Sequence, residues 1–237
     1  MAQLEELTVT PTCLLLDLDG TLVDSADGIT ASVAATLTVI GVPVPDTDTL
    51  RSFVGPPMYL TFREVLGLDE PTAERALRLY RADYAERGAL NSRVYDGVPS
   101  LLEMLAAGGF PMGVATSKVE DQAERITEHH GLTTHLTTVC GTSDAAGRAT
   151  KRDVIRECLQ RMQEQGVDVS RPLMVGDRGY DVLSAAAEGI PAVRVLWGYG
   201  TPHESVSAHA TVDSPQALAR LLMPSGRPED LLSRALS

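Results

Sequence analysis

The sequence predicts an α/β fold: a parallel sheet flanked by helices, interrupted by an all-helical insertion after the first strand. Three observations lead there. Helical and strand patterns alternate from Val98 onward, only helical patterns occupy the stretch from Ser25 to Arg87, and polar residues gather just beyond the predicted strand ends.

Leu14-Leu15-Leu16, preceded by Pro11 and ended by Asp17, reads as a buried strand with carboxylates at its C-terminal edge. From Ser25 to Ile40, the apolar positions Ile29, Val33, Leu37 and Ile40 recur at helical spacing, and Gly41 with Pro43 supplies a stop. Helical patterns follow at Met58 to Leu66, closed by Gly67, and at Pro71 to Arg87, where Ala73, Ala76, Leu77, Tyr80 and Tyr84 share a face. After Tyr95-Asp96-Gly97 the order is helix (Val98 to Ala107), strand (Phe110 to Ala115), helix (Val119 to His129) and strand (Leu136 to Cys140). It continues with a helix from Lys151 to about Gln165, a strand from Pro172 to Val175, a helix from Tyr180 to Glu188 and a strand from Ala192 to Leu196. Such alternation is the signature of βαβ units. One core domain is therefore expected from residues 1–23 and 95–223, with residues 24–94 as a helical lid. The tail, residues 224–237, is open between a frayed helix and a disordered end.

A chain of 237 residues, 43% hydrophobic and 22% charged, can bury a full core. Its formal charge of −12 repels nucleic acid polymers and anionic membrane surfaces. Cys13, Cys140 and Cys158 are odd in number and far apart, which suggests neither a disulfide framework nor a metal knuckle; they read as small core residues. The acidic start has no basic leader pattern and no apolar run approaches membrane-spanning length, so a cytoplasmic location is expected.

Four polar groups fall just past strand ends: Asp17 with Asp19, Thr116 with Ser117, Lys151 at a helix head, and Asp177 with Asp181. In a parallel sheet those ends converge on one crevice. A carboxylate is a competent nucleophile towards phosphorus, and Asp17 is the candidate. Gathered carboxylates repel one another unless a cation neutralises them, and hard oxygen donors suit Mg²⁺, with Asp177 completing its site. Asp19 is placed to protonate a leaving oxygen and later to deprotonate water. Thr116 and Ser117 offer donors to phosphate oxygens, and Lys151 adds a point charge. Gly20, which lets the chain turn sharply, and Thr21 join Ser117 as substrate-binding candidates.

The segments DLDGTLVDS (Asp17 to Ser25), VATSK (Val114 to Lys118), Lys151 and VGDRGYD (Val175 to Asp181) resemble, in order and spacing, the four motifs of the haloacid dehalogenase superfamily. The resemblance implies a Rossmann-like core with a helical cap. It implies that Asp17 is nucleophile and Mg²⁺ ligand, Asp19 acid/base and a ligand through its carbonyl, Asp177 the third ligand, and Asp181 the residue orienting the metal's waters. FVGPPM, VYDGVPSLLEML, GRATKRDVI and VLWGYGTPHE look like the 5'-nucleotidase and phosphoglycolate-phosphatase branch. Many phosphoglycolate phosphatases carry K-P-x-P at the third motif; Lys151-Arg152-Asp153 departs from it and tilts the reading towards nucleotidases. Thr133-Thr134-His135 replaces an aromatic of the relatives and lies away from the motifs.

The expected activity is Mg²⁺-dependent hydrolysis of a small phosphorylated metabolite, a nucleoside 5'-monophosphate or a phosphoglycolate-like ester, by a monomer or homodimer. A phosphomutase and a phosphate-binding module without turnover are the alternatives; dehalogenation is opposed by Asp19. Asp181 has a second reading as a first-turn acid complementing the helix dipole. Lys118 reads as a surface charge at a helix start, Arg51, Arg87 and Asn91 as solvated groups, His129-His130 as a helix end, and Trp197 as packing.

Overall fold

The computed structural model describes residues 10–55, 57–201 and 207–223. The acidic residues 1–9 and the tail 224–237 lie outside the described residues. The chain divides into two compact units, Met1–Val23 with Val94–Ser237 and Asp24–Arg93.

The larger unit is built on a six-stranded sheet in which every paired strand is parallel. Its strands are β1 (Cys13–Leu16), β4 (Met112–Val119), β5 (Thr138–Thr142), β6 (Pro172–Gly176), β7 (Ala192–Val195) and β8 (Ala210–Val212), in the order β5-β4-β1-β6-β7-β8. Two two-residue strands, β2 (Val23–Asp24) and β3 (Arg93–Val94), pair where the chain leaves this unit and returns. β1 is central, with Leu15 in register with Gly113 on one side and Met174 on the other. Strands buried on both sides need continuous apolar runs, and all four residues of β1 are buried.

Two helices, α7 (Lys151–Glu164) and α8 (Gly179–Ala186), cover one face, where Val154, Ile155, Cys158, Met162, Val182 and Ala185 meet Cys13, Leu15, Ala115, Cys140 and Met174. All three cysteines are thus free, buried core residues, as expected. α7 crosses β4 closely: a Cβ on Gly113 would lie 2.6 Å from the Cys158 Sγ. The alternate residues Leu14, Leu16, Val114 and Val175 are equally buried. α5 (Val98–Ala107) packs against α9 (Pro215–Leu222), and α6 (Glu120–His129) packs on β4 and β5. The strand β8 and helix α9 were not legible in the sequence, because Ala210–Val212 is too short to show a period.

Direction reverses between β1 and β6: β1 is followed by β4 on one side of the sheet, β6 by β7 on the other. The C-terminal ends of these two neighbours therefore frame a crevice at a topological switch point.

The smaller unit is helical. α1 (Ala26–Ile40) ends on Gly41 at φ 75°, a left-handed C-cap that glycine adopts without strain. α2 (Thr47–Ser52) and α4 (Glu70–Asp83) are capped by Asp46 and Asp69, each accepting a backbone N–H at 2.8 Å. α3 (Met58–Leu60) runs into a wide turn, Thr61–Val65, and α4 into another, Tyr84–Gly88, where continuous helices were expected. The second turn has a packing reason, because a Cβ on Gly28 of α1 would lie 2.2 Å from the Gly88 carbonyl oxygen. Tyr80 stacks on Tyr84 at 5.7 Å and meets Phe62 edge-on at 6.4 Å. Among the described residues, no helix is long and apolar enough to cross a membrane.

Because Leu15 is fully buried at the centre of the sheet, Leu15→Ala should lower stability by about 2–5 kcal/mol in urea unfolding. A loss under ~1 kcal/mol would contradict this packing.

Candidate active site

The Asp17 N–H donates to the Val175 carbonyl at 2.9 Å, which extends the β1–β6 ladder by one residue and sets the Asp17 carboxyl beside the exit of β6. The chain then turns, with the Gly20 N–H donating to Val23 O at 2.8 Å and Leu22 N–H to Leu18 O at 2.9 Å. Gly20 has φ 84°, and a Cβ there would lie 2.2 Å from Asp177 Oδ2, so both backbone conformation and space require glycine.

Lys151 is the first residue of α7, and the helix begins there because Thr150 and Asp153 form a reciprocal capping box. The Lys151 side chain is 1% exposed, with Nζ 2.6 Å from Asp17 Oδ1 and 2.8 Å from Asp181 Oδ1. A cation at a helix N-terminus opposes the dipole. Burial would also lower its pKa, but Asp17 and Asp181 outweigh both effects and push it up.

The carboxylates show the opposite strain. Burial pushes Asp17 up to about 6, against the pull of Lys151, with Asp181 and Asp19 adding to the rise. Burial, then Asp17 and Asp181, pushes Asp177 up to about 8, opposed by the Tyr199 N–H. That N–H donates to Asp177 Oδ2 at 2.7 Å, whereas Asp177 Oδ1 is buried with no hydrogen-bond partner. Asp17, Asp177 and Asp181 each place a carboxylate oxygen within 4.8 Å of the others. A buried unsatisfied oxygen is costly unless a cation meets it, so this donor set fits a hard divalent ion. Both Asp181 oxygens are engaged, Oδ1 by Lys151 and Oδ2 by the Arg178 N–H at 3.0 Å, which leaves Asp177 with the open ligand atom.

Thr116 is buried near the end of β4, its Oγ1 accepting from the Lys118 N–H at 3.3 Å, and Ser117 beside it is exposed. Lys118 corrects an expectation. It lies on β4, not at a helix start, and is no surface charge: its side chain is 6% exposed, with Nζ 3.0 Å from Asp19 Oδ2. β4 outruns its apolar stretch because pairing with β5 slips between Ala115 and Val119. Asp19 thus joins the site through Lys118, and Thr21 is buried with its carbonyl accepting from Trp197 Nε1 at 3.0 Å. Arg51 pairs with Asp27 at 3.7 Å and Arg87 with Asp83, as solvated arginines do.

Sequence reasoning missed the loop after β7. A Cβ on Gly198 would lie 2.1 Å from Gly20 O, and one on Gly200 2.0 Å from Asp177 O. Arg194 ties this loop to the β6 exit, Nε donating to Asp177 O at 3.3 Å and Nη2 to Thr201 O at 2.6 Å, while Arg178 Nη1 donates to Tyr199 O at 3.0 Å. Paired glycines in Trp197-Gly198-Tyr199-Gly200 were the available sign of a close backbone approach.

A family model described as haloacid dehalogenase-like hydrolase matches residues 14–195. Tyrosine-protein kinase PtkA of Mycobacterium tuberculosis is 44% identical over 190 residues, 80% of this chain and 64% of that protein. The chain thus spans under two thirds of that relative's length. A 5'-nucleotidase of Pseudomonas aeruginosa is 37% identical, covering 81% of this chain and 85% of its own. The crystal structure of a predicted phosphatase from Clostridium acetobutylicum superposes with a TM-score of 0.83 at 36% identity, covering 91% of this chain and 100% of that one.

The raised Asp17 and Asp177 carboxyls bind protons in the folded, metal-free chain that they release on unfolding, so between about pH 4 and pH 8 their contribution to stability falls as pH rises. Each pH unit crossed with one such proton costs about 1.4 kcal/mol, or about 3–6 °C in Tm for a chain of this size. Calorimetry should show a lower Tm at pH 8 than at pH 5.5 without divalent cations, with added Mg²⁺ recovering more at pH 8. A Tm that rises across this window would contradict the assignment.

Proposed function

We propose that this chain, which belongs to the haloacid dehalogenase-like hydrolase family, is a Mg²⁺-dependent phosphatase of small phosphomonoesters. The observation that carries the reading is the convergence at one sheet edge of a carboxylate held at 2.6 Å by a buried lysine and a second carboxylate with an unpartnered oxygen.

With Lys151 on Oδ1, the other oxygen of Asp17 is left to attack phosphorus, forming an aspartyl phosphate and releasing the alcohol. Lys151 and the Thr116 hydroxyl, with Ser117 and the Gly20-Thr21 turn, hold the phosphoryl oxygens. Asp19, oriented by Lys118, protonates the leaving oxygen and then takes a proton from the water that cleaves the aspartyl phosphate, so atoms and charge close over two steps. Asp17, the Asp19 carbonyl and Asp177 would hold Mg²⁺, which when bound would offset the negative charge that gathers on phosphate. Asp181 anchors Lys151 and would orient the waters of that cation. The smaller helical unit, residues 24–93, is read as the cap that selects the leaving group.

The 37% identical 5'-nucleotidase and the Lys151-Arg152-Asp153 sequence favour a nucleoside 5'-monophosphate over phosphoglycolate. A second reading, transfer to an acceptor other than water, is favoured by the kinase name of the 44% identical relative.

Phosphate release from nucleotides, phosphoglycolate and sugar phosphates, with and without Mg²⁺, tests these readings. Nucleoside 5'-monophosphates should turn over fastest, chelation and Asp17→Asn should each abolish release, and Asp19→Asn should lower kcat by about 10²–10⁴-fold while phosphate still binds. Unimpaired Asp19→Asn sinks its role. Phosphorylated acceptor in place of free phosphate supports the transferase, and binding without any product supports a silent module.

A further inference from the structure

Four charged side chains close a ring beside the crevice without touching its carboxylates. Arg148 Nη2 lies 2.6 Å from Glu120 Oε2 and Nη1 3.3 Å from Glu157 Oε1; Arg161 Nε lies 2.7 Å from Glu157 Oε1 and Nη2 3.1 Å from Glu120 Oε1. The ring is also tied to the backbone. Glu120 Oε2 accepts from Gly141 N–H at 3.1 Å, Arg148 Nε donates to Gly141 O at 3.3 Å, and Arg161 Nη1 donates to Val139 O at 3.4 Å. Burial alone would raise Glu120, but the Gly141 N–H and the two guanidiniums hold its carboxyl below the usual glutamate range.

The placement of these residues along the chain gives the ring its meaning. Glu120 opens α6 two residues after Lys118, the partner of Asp19. Arg148 stands three residues before Lys151, the partner of Asp17. Between β5 and α7 the loop closes on itself, Ser143 N–H donating to Arg148 O at 2.9 Å and Arg148 N–H to Ser143 O at 3.0 Å, so Arg148 is held by side chain and backbone together. Gly141 admits no Cβ, which would lie 2.5 Å from Lys118 O and 2.7 Å from Glu120 N. The β4 exit is thus pressed against Gly141, and the loop that enters α7 is tied to the same residue through Arg148.

We propose that Arg148 is a positioning residue that sets Lys118 and Lys151 relative to each other, so that the acid/base and nucleophilic aspartates meet one phosphoryl group in register. The catalytic consequence rests on the phosphatase reading above. Two arginines balance two glutamates, so the ring acts through geometry and not by adding net charge to the site. Reactive geometry is intolerant, with ~1 Å of misplacement costing about 10²-fold in rate.

The test compares Arg148→Gln, Arg148→Lys and, as control, Arg156→Gln, which removes the exposed pair of α7 with Glu188. Each is assayed for kcat and KM, for Tm, and for orthovanadate affinity in Mg²⁺ by the fluorescence of Trp197, the single tryptophan. Expected for Arg148→Gln are a kcat about 10²-fold lower with KM within about threefold, and vanadate binding weakened about tenfold. Arg148→Lys should recover about tenfold of the lost kcat and Arg156→Gln should match wild type. Wild-type kcat and vanadate affinity in folded Arg148→Gln, or no recovery by lysine, overturns the proposal. If Arg148→Gln melts below the assay temperature, Arg148→Lys decides, a reduced kcat supporting the proposal and an unchanged one overturning it. A wild-type chain that binds vanadate but turns over no ester sinks the phosphatase reading alone, and the vanadate series still judges the ring.

Discussion

Carboxylates repel, and this chain buries three of them within 4.8 Å of one another. The arrangement is tolerable because a lysine with almost no exposure is shared between Asp17 and Asp181, and because backbone N–H groups meet Asp181 Oδ2 and Asp177 Oδ2. Asp177 Oδ1, buried without a hydrogen-bond partner, is where positive charge is still missing. Much of the local architecture answers to that demand. The capping box at Thr150 and Asp153 starts α7 where Lys151 can reach the crevice, and the glycine-rich loop after β7 brings the Tyr199 N–H against Asp177.

The parallel sheet makes such crowding possible. Residues remote in sequence, Asp17 and Asp177, become neighbours because β1 and β6 pair in register and end together. The reversal of connection between those strands leaves the crevice open. A rigid apolar base holds it, since β1 is buried along its whole length and α7 lies within contact of β4 at Gly113. Charges placed on such a base gain from fixed geometry, whereas the same charges on a loop would relax towards water.

A second tier of charge lies just outside. The Glu120, Arg148, Glu157 and Arg161 ring is self-neutral, so its contribution is alignment of the segments that carry Lys118 and Lys151. Two lysines, two aspartates and one arginine therefore form a continuous set of contacts or near neighbours in sequence, joined at the end of β5.

Residue order, periodicity and the four motif segments determined the α/β class, five of the six sheet strands and the identities of Asp17, Asp177, Asp181 and Lys151 as neighbours, because strand ends in a parallel sheet must share an edge. What only tertiary structure decided are contacts that no local pattern encodes. Lys118 reads as a solvated charge until the slipped β4–β5 register extends the strand and turns its ammonium to Asp19. Arg148, in the loop before α7, and Arg161, on α7, meet two glutamates only because α6, β5 and α7 come together. The wide turns at Thr61–Val65 and Tyr84–Gly88 escaped notice for the same reason, as do the glycines that fold the 196–201 loop onto Asp177. Periodicity records which face a residue presents, while the partner on that face is chosen by chain segments elsewhere, through packing and charge that form only on folding.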